Sequence, residues 1–417
     1  MKTICRLGFF LAALAGLFTA TAQADEVTVW NRIMFQSALL AVPPSSPLVM
    51  GRNAAIVQAS VFDAVNGIER RYAPVHVRPS GPRGASPRAA AVQAAYVSLV
   101  NLYPTQQAAL AVQRDASLAV IAHTASASRI ARGVEWGQFV ADSIWTWRST
   151  DGFTPPPAPF VGGSAVGQWR PTPPALLSGA GPQFAYMAPW AILSPSQFRP
   201  AGPPALDSAR YAADFLETKT MGSLTSSART SDQTIASQFW AASTATFYWD
   251  QIALALGAQR HFTLTQNARL LALLNIAMAD AAIACWEAKY HFVFWRPVTA
   301  IPLAATDGNS DTVAEPSWVP LLTTPAHPEY PSGHSTVSGS AAAVLADYFG
   351  ESTSFSVTSD VLLGVQRSFP NFTAALAEIV DARVFAGIHF RSACNDGQAI
   401  CAGVAQYVLS NSLLPVH

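Results

Sequence analysis

The most apolar run of the chain after its N-terminal 24 residues, Leu270–Trp286, limits the folds that the sequence can adopt. Asn275 and Asp280 interrupt this run, and such residues are costly inside a bilayer, so we do not expect it to cross a membrane. The run therefore predicts a buried core helix, which we place at residues 265–294. No other segment after the N-terminal 24 residues is predicted to span a membrane.

The composition indicates a large globular protein. Hydrophobic residues make up 50% of the 417 residues and charged residues only 12%, which argues against a disordered chain. The formal net charge is zero, whereas nucleic-acid-binding proteins normally carry a basic excess, so we predict no nucleic-acid partner. The 30 prolines indicate long, stiff connections between the regular elements.

Helical spacing of apolar residues recurs along the chain, and no strand-like alternation of any length competes with it. We therefore predict an all-α fold of helical bundles with long proline- and glycine-rich connections. One compact body is expected, with an N-terminal helical half at residues 25–260 and a C-terminal helical half at 261–417. The longest irregular connection, residues 151–206, is expected to cover one bundle and to form part of a pocket rim. The predicted helices lie at residues 27–71 (broken near Pro43, Pro44 and Pro47), 89–102, 105–122, 128–147, 207–221, 231–256, 265–294, 336–349 and 389–410.

Residues 1–24 have the order of a secretory signal peptide. Two basic residues precede the apolar run Leu7–Phe18, which ends in the small residues Ala22-Gln23-Ala24. A membrane anchor is the weaker interpretation, because this apolar run is shorter than a bilayer requires. We therefore predict cleavage after Ala24 and a secreted or periplasmic mature protein that begins near Asp25.

The cysteines of the predicted mature protein do not form a disulfide scaffold. Only Cys285, Cys394 and Cys401 remain after cleavage, which is an odd number and far too few. One bridge is possible, but a helix through 394–401 places its two sulfurs about two turns apart, too far for a bond.

Three segments carry candidate functional residues, and the first is the Lys–Arg segment, Cys285–Ala300. Lys289 and Arg296 are seven residues apart, so a helix that runs through both places them on one face. Pro297 is expected to end that helix. Five aromatic residues in the segment, Trp286 among them, would exclude water, and buried cations require an anion. The alternative is a pair of surface cations that lie over aromatic side chains.

The second is the Ser–Gly–His segment, Tyr330–Ser335. Ser332 and Gly333 precede an apolar helix that Gly350 ends, so their position at the helix start favours an anion. His334 in the first turn is placed to exchange protons with a bound group. The alternative is an ordinary helix cap with an incidental histidine.

The third is the Arg–His segment, Asp381–His389. Arg383 and His389 are six residues apart, which on a straight helix separates them by about 120°. They reach one site only if the backbone turns between them, and Gly387 is the residue at which it can turn. The alternative is a partly exposed arginine and a histidine at the edge of the core.

Together the three segments contain the groups that bind a tetrahedral oxyanion. Three cations, a hydroxyl, a backbone donor and two histidines could meet in one site. The chain contains neither a zinc signature of the HExxH type nor a GxSxG nucleophile motif.

The order and spacing of these groups resemble a known superfamily. The three motifs Lys289-(six residues)-Arg296-Pro297, Pro331-Ser332-Gly333-His334 and Arg383-(five residues)-His389 are similar to those that vanadium-dependent haloperoxidases share with type 2 phosphatidic acid phosphatases. The resemblance covers about residues 265–410 and implies a fold of helical bundles. It also implies that the oxygens of vanadate, or of phosphate in the same site, are held by Lys289, Arg296, Ser332, Gly333 and Arg383. His389 would be the ligand of vanadium or the nucleophile of a phosphatase, and His334 the acid–base residue.

Several features of the resemblance favour the haloperoxidase branch. The chain is predicted to be secreted, lacks multiple membrane spans and has a long helical N-terminal half. Trp286 matches a pocket tryptophan of haloperoxidases. His327 stands where chloroperoxidases have phenylalanine and algal bromoperoxidases have histidine, which favours bromide or iodide over chloride. The resemblance thus implies a secreted enzyme that oxidises halide with hydrogen peroxide to hypohalous acid, with Lys289 activating the peroxide.

Two alternatives accompany this hypothesis. One is a secreted acid phosphatase that acts through a phosphorylated His389, and the other, ranked last, is a helical binding protein without catalytic activity. The chain also departs from the family pattern, which often has serine where Ala382 stands and aspartate where Ala393 stands. Asp396 is a possible substitute for that aspartate, so the partner of the second nitrogen of His389 is left open.

Overall fold

A computed structural model describes residues 25–416. The predicted signal peptide, residues 1–24, lies outside the described residues, as does His417. The regular structure of the described part is almost entirely α-helical, and the predicted all-α class is confirmed.

The helices of the described residues are α1 Glu26–Leu40, α2 Pro47–Glu69, α3 Pro87–Leu102, α4 Gln107–Ala122, α5 Ala127–Arg148, α6 Ala209–Gly222, α7 Ser231–Ala242, α8 Ala245–Gln259, α9 Leu264–Phe292, α10 Pro297–Ala300, α11 Gly333–Phe349, α12 Phe372–Phe385 and α13 Arg391–Asn411. Short 3₁₀ helices lie at Pro104–Gln106, Pro182–Ala185 and Ala304–Thr306. Strands β1, Phe355–Thr358, and β2, Gln366–Phe369, form an antiparallel hairpin that the sequence patterns do not predict.

Most of these helices begin at small polar residues, as helix-capping rules favour. A side-chain oxygen accepts a first-turn backbone N–H at Asp25, Ser46, Ser86, Ser208, Thr230, Thr244, Thr263, Ser332 and Asn371. Local sequence therefore determines where α11 begins, and the Ser–Gly–His segment lies at that helix start.

The predicted single helix at residues 231–256 is wrong. α7 ends at Ala242, Ser243 is extended, and the Thr244 side chain caps α8. Serine and threonine hydroxyls compete with helical hydrogen bonds and favour caps, which explains why the helix breaks at this pair.

The prediction that one helix carries both Lys289 and Arg296 is also wrong. α9 ends before Val293, whose φ of 52° is left-handed and unusual for a β-branched residue. The Val293 carbonyl accepts the backbone N–H of Trp169 at 2.7 Å, so a distant segment holds this reversal in place. Pro297 then begins α10 instead of ending α9, which is the position that proline favours.

Helix α9 lies at the centre of the fold. It packs against α2 and α8 of the N-terminal half and against α11 and α13 of the C-terminal half. By length and composition it could cross a membrane, but 94% of its most apolar window is buried inside the protein. The main core contains residues of both halves, and the division at residue 260 stays a prediction.

A buried carboxylate holds the long connection 151–206 against α9. Asp280 on α9 is fully buried and accepts three consecutive backbone N–H groups, those of Trp190 at 2.7 Å, Ala191 at 2.8 Å and Ile192 at 3.0 Å. Bonds from N–H groups to a carboxylate are stronger than those between neutral groups. The connection is therefore fixed along one side of the C-terminal half.

The described residues contain no disulfide bond. Cys285, Cys394 and Cys401 are buried and free. The last two lie on α13, as the sequence argument against a bond between them expected.

Candidate active site

Lys289 is completely buried in the last turn of α9 and holds the loop 328–331, which leads into the start of α11. Its ammonium donates to the carbonyl oxygens of Pro328 and Glu329, both at 3.0 Å, and of Pro331. Burial lowers the pKa of Lys289 to about 7. All three of its N–H groups are used, so a contact with an oxyanion requires Lys289 to give up one of these carbonyls.

Arg296 joins the Lys–Arg segment to His389 and His327, two of the three histidines of the site. Its guanidinium is fully buried and donates to the Ile388 carbonyl at 2.6 Å and to the His327 carbonyl at 2.9 Å. It also lies 3.2 Å from His389 Nε2 and 2.9 Å from His327 Nδ1. Burial lowers the pKa of Arg296 to about 10, which leaves it cationic at neutral pH.

The Ser–Gly–His segment forms the start of α11. Ser332 is the N-cap, and its Oγ accepts the backbone N–H of Ser335 at 3.4 Å. Gly333 is required by a close approach, because a Cβ there would lie 3.0 Å from Cζ3 of Trp286. The free N–H groups of this helix start and its positive dipole end favour an anion. Burial and the charge of Arg383 lower the pKa of His334 well below its ordinary value, so its imidazole is neutral.

Arg383 is a buried cation without a partner in the described residues. It lies in the last turn of α12 and is only 2% exposed, and its Nε and Nη1 atoms have no hydrogen-bond acceptor. Burial lowers its pKa to about 10, so it stays charged. A buried, unpaired charge is unfavourable unless an anion binds beside it.

The backbone turn predicted between Arg383 and His389 is present. α12 ends at Phe385, and Gly387 has a φ of +75°, a conformation that glycine adopts without strain. A Cβ at this position would also collide with the Gly222 carbonyl at 2.4 Å. The turn brings His389 next to Arg296.

A buried glutamate that sequence reasoning missed is the partner of His389. Glu329 Oε1 lies 2.8 Å from His389 Nδ1 and accepts the backbone N–H of Phe390 at 2.9 Å. The suggested substitute, Asp396, instead accepts the Tyr330 hydroxyl at 2.7 Å. A signal was present in the sequence, because Glu329 is the only acid in a proline-rich segment that leads directly into the site.

Six of the predicted site residues line a cavity of about 400 Å³. The predicted residues at its surface are Trp286, His327, Gly333, His334, Arg383 and His389. Apolar side chains form much of the remaining wall: Leu48, Val49, Phe184, Met278, Ala282 and Val337. Part of the 151–206 connection, from Ala180 to Phe184, lies on the rim, where the Ala180 carbonyl accepts the indole N–H of Trp286 at 3.1 Å.

The residues present fit an oxyanion of the vanadate or phosphate type. Three basic side chains, Lys289, Arg296 and Arg383, lie near His389, and Glu329 is the carboxylate that contacts it, so the site has an excess of positive charge. Arg383 has two unused donors, and the α11 start offers backbone N–H groups. The structure thus brings all three segments together, while Lys289, Arg296 and Ser332 are completely buried beneath the cavity surface.

Comparison with known proteins places this site in a family. Residues 269–414 match the family model of the VCPO second helical-bundle domain. The structure is similar to the crystal structure of a bacterial vanadium-dependent iodoperoxidase, with a TM-score of 0.80 and 26% sequence identity over 93% of this chain and 97% of the other. These findings support the superfamily of vanadium-dependent haloperoxidases and type 2 phosphatidic acid phosphatases that the three motifs resemble.

Two further relatives within this superfamily were found. Vanadium chloroperoxidase of Curvularia inaequalis is 36% identical over 92 residues, which span 20% of this chain and 14% of the length of that protein. The apo form of a bacterial vanadium-dependent chloroperoxidase superimposes with a TM-score of 0.67 and 17% identity over 87% of this chain and 93% of the other, which shows the common fold. The segment that matches the superfamily contains every predicted site residue, from Trp286 to His389, and the roles assigned to these residues stay predictions.

Proposed function

We propose that this protein is a vanadate-dependent haloperoxidase that oxidises halide with hydrogen peroxide to hypohalous acid. The observation that carries the proposal is the unpartnered guanidinium of Arg383, which lines the same mostly apolar cavity as His389. The activities of the relatives, iodoperoxidase and chloroperoxidase, support it.

The residues of the site have separate tasks in this proposal. His389 would bind vanadate through Nε2, and Arg383, Ser332 and the Gly333 amide would hold its oxygens. Vanadate held there would supply a Lewis acid that polarises peroxide toward attack by halide. His334 is neutral and therefore able to accept a proton from peroxide and return it to the departing oxygen.

Lys289 and Arg296 neutralise charge from beneath the cavity surface. Arg296 fixes the two histidines that contact it, and Lys289 fixes the loop 328–331. Because the pKa of Lys289 is lowered to about 7, an added anion favours its charged form. Lys289 thereby becomes able to activate the peroxide, as the superfamily resemblance implies.

The halide is proposed to be bromide or iodide in preference to chloride. His327 and Trp286 stand side by side at the cavity surface, with ring centroids 4.9 Å apart. His327 Nδ1 lies 2.9 Å from Arg296 Nη2 and 3.2 Å from the Pro328 carbonyl oxygen, and these contacts hold the ring beside Trp286. A mostly apolar cavity favours large, weakly hydrated halides, which lose less hydration energy on entry.

We also propose that the protein is secreted or periplasmic. Asp25, the first residue after the predicted cleavage site, caps α1 by accepting the Thr28 N–H at 2.9 Å, and it accepts the Asn267 side chain at 2.8 Å. A mature chain that begins at Asp25 therefore keeps both contacts. Sequencing the N-terminus of the exported protein tests this, and an uncleaved Met1 would contradict it.

A halogenation assay tests the activity. Purified protein is incubated in phosphate-free buffer with vanadate, hydrogen peroxide and chloride, bromide or iodide, and halogenation of a trapping diketone is followed. We expect vanadate-dependent turnover with bromide and iodide and less with chloride, and no turnover in His389→Ala. An aryl phosphate is run in parallel. Phosphate ester hydrolysis that vanadate inhibits, without halogenation, would replace this proposal with the phosphatase alternative.

A further inference from the structure

Glu329 is a completely buried carboxylate that contacts His389, the proposed vanadium ligand. Its Oε1 lies 2.8 Å from His389 Nδ1 and accepts the backbone N–H of Phe390 at 2.9 Å, while Oε2 has no partner in the described residues. Burying a carboxylate is costly, so a buried glutamate with one histidine partner requires an explanation in function.

The contacts on the other side of the imidazole determine its tautomer. Arg296 Nη1 lies 3.2 Å from His389 Nε2, and a guanidinium nitrogen can only donate. Nε2 must therefore accept, which leaves the proton of the neutral ring on Nδ1. That proton points at Glu329 Oε1, so the two neighbours select the same tautomer. Burial and the nearby cations lower the pKa of His389 well below its ordinary value, in agreement with a neutral ring.

The carboxylate comes from an unusual place in the sequence. The superfamily resemblance implies an aspartate four residues after this histidine, where the chain has Ala393, which is 1% exposed and has no side-chain acceptor. The acid one turn further on, Asp396, is occupied by Tyr330 and Arg210. Glu329, sixty residues before His389, fills the place at Nδ1.

We propose that Glu329 is the positioning residue of His389, and that it replaces the aspartate missing at 393 by holding the proton on Nδ1. This keeps the lone pair on Nε2, where Arg296 now donates and where an oxyanion would bind in its place. This rests on the proposed binding of vanadate by His389. A carboxylate at the second nitrogen of a ligating histidine fixes its orientation and raises its basicity, and losing such a partner typically weakens metal binding about 10- to 100-fold.

The tautomer of the wild-type protein is the first test, and it needs no vanadate. In protein labelled with ¹⁵N-histidine, the His389 signals are assigned by their loss in His389→Ala. We expect a protonated Nδ1 and an unprotonated Nε2. A protonated Nε2 in the wild type would overturn the proposal.

Vanadate affinity in variants is the second test, measured by calorimetry in phosphate-free buffer. We expect Glu329→Ala to raise the dissociation constant about 10- to 100-fold and to mix the His389 tautomers. Glu329→Gln keeps an acceptor for the Nδ1 proton, so it should keep the tautomer and lose less affinity. The double change Glu329→Ala with Ala393→Asp should regain affinity over the single change, because it restores a carboxylate at the relatives' position.

Asp214→Asn is the matched control. Asp214 is another buried carboxylate, and it accepts the backbone N–H of Ser392 and does not contact His389. It should leave vanadate affinity unchanged within about threefold and the tautomer intact. Equal losses in the Glu329 and Asp214 variants would show a purely structural role and refute the proposal. If the wild type binds vanadate and has the expected tautomer but oxidises no halide, the proposed function fails while the role of Glu329 stands. If a Glu329 variant does not fold, the wild-type tautomer still decides.

Discussion

Replacing Arg383 by methionine should change stability in opposite directions with and without a bound anion. Methionine is similar in length and apolar, so it fills the same space without the charge. In the absence of an anion the wild type keeps a buried guanidinium with two unsatisfied donors. We therefore expect the variant to be more stable than the wild type under these conditions.

The magnitude follows from the pKa of Arg383. Burial lowers it from 12.5 to about 10, which corresponds to about 3 kcal/mol of unfavourable free energy in the charged folded state. We expect Arg383→Met to regain between about 1 and 3 kcal/mol of that in anion-free buffer. At vanadate concentrations of about 100 times the dissociation constant, ligand binding should stabilise the wild type by about 2.7 kcal/mol and the variant much less, so the difference should vanish or reverse.

Urea denaturation followed by tryptophan fluorescence measures both effects, with and without vanadate. Arg148→Met is the matched control, because Arg148 is equally buried but pairs with Asp151 and donates to two backbone carbonyls. Breaking those partnerships should destabilise the control by about 3 kcal/mol or more in both buffers. If Arg383→Met loses as much stability as the control without anion, Arg383 has a structural partner and the reasoning is refuted.

Three further changes test other parts of the structure. Burial raises the pKa of Asp250 to about 8, so between about pH 4 and 8 the folded state holds a proton that the unfolded state has lost. The free energy of unfolding should therefore fall by up to about 1.4 kcal/mol per pH unit as the pH rises through this range. Asp250→Asn, whose amide can donate to the unpartnered Asn275 Oδ1, should flatten that slope in urea titrations at several pH values. Gly333→Ala places a Cβ 3.0 Å from the Trp286 ring. It should lower the free energy of unfolding by about 1–2 kcal/mol and slow halide oxidation. Unchanged values in both assays would show that the contact relaxes freely. Asp280→Ala leaves three backbone N–H groups of the connection 151–206 without an acceptor. It should lower the free energy of unfolding, measured in urea, by more than about 3 kcal/mol and speed proteolysis of that connection. A decrease below about 1 kcal/mol would mean that other contacts hold the connection.

The sequence was sufficient for features that depend on neighbouring residues. The Ser332 cap, the Gly350 end of α11 and the turn at Gly387 all follow from local backbone preferences, and the structure has each of them. The all-α class follows from periodicity in the same way. Only the short hairpin Phe355–Phe369 departs from it among the described residues, because two four-residue strands give too little alternation to detect.

Features that depend on distant contacts were not predictable. Val293 reverses the chain although its own preference opposes that conformation, because Trp169 holds its carbonyl. Lys289 and Arg296 consequently meet the site from two elements and not from one helix face. Glu329 was missed for the same reason, since its contact with His389 spans sixty residues and no local rule connects them.

Crystals soaked in vanadate give the most direct test of the site as a whole, by anomalous diffraction at the vanadium absorption edge. We expect one vanadium peak per chain, at bonding distance from His389 Nε2, between Arg383 and the start of α11. Vanadium bound only elsewhere, or no peak at a vanadate concentration that saturates binding in solution, would contradict the convergence of the three segments on one oxyanion.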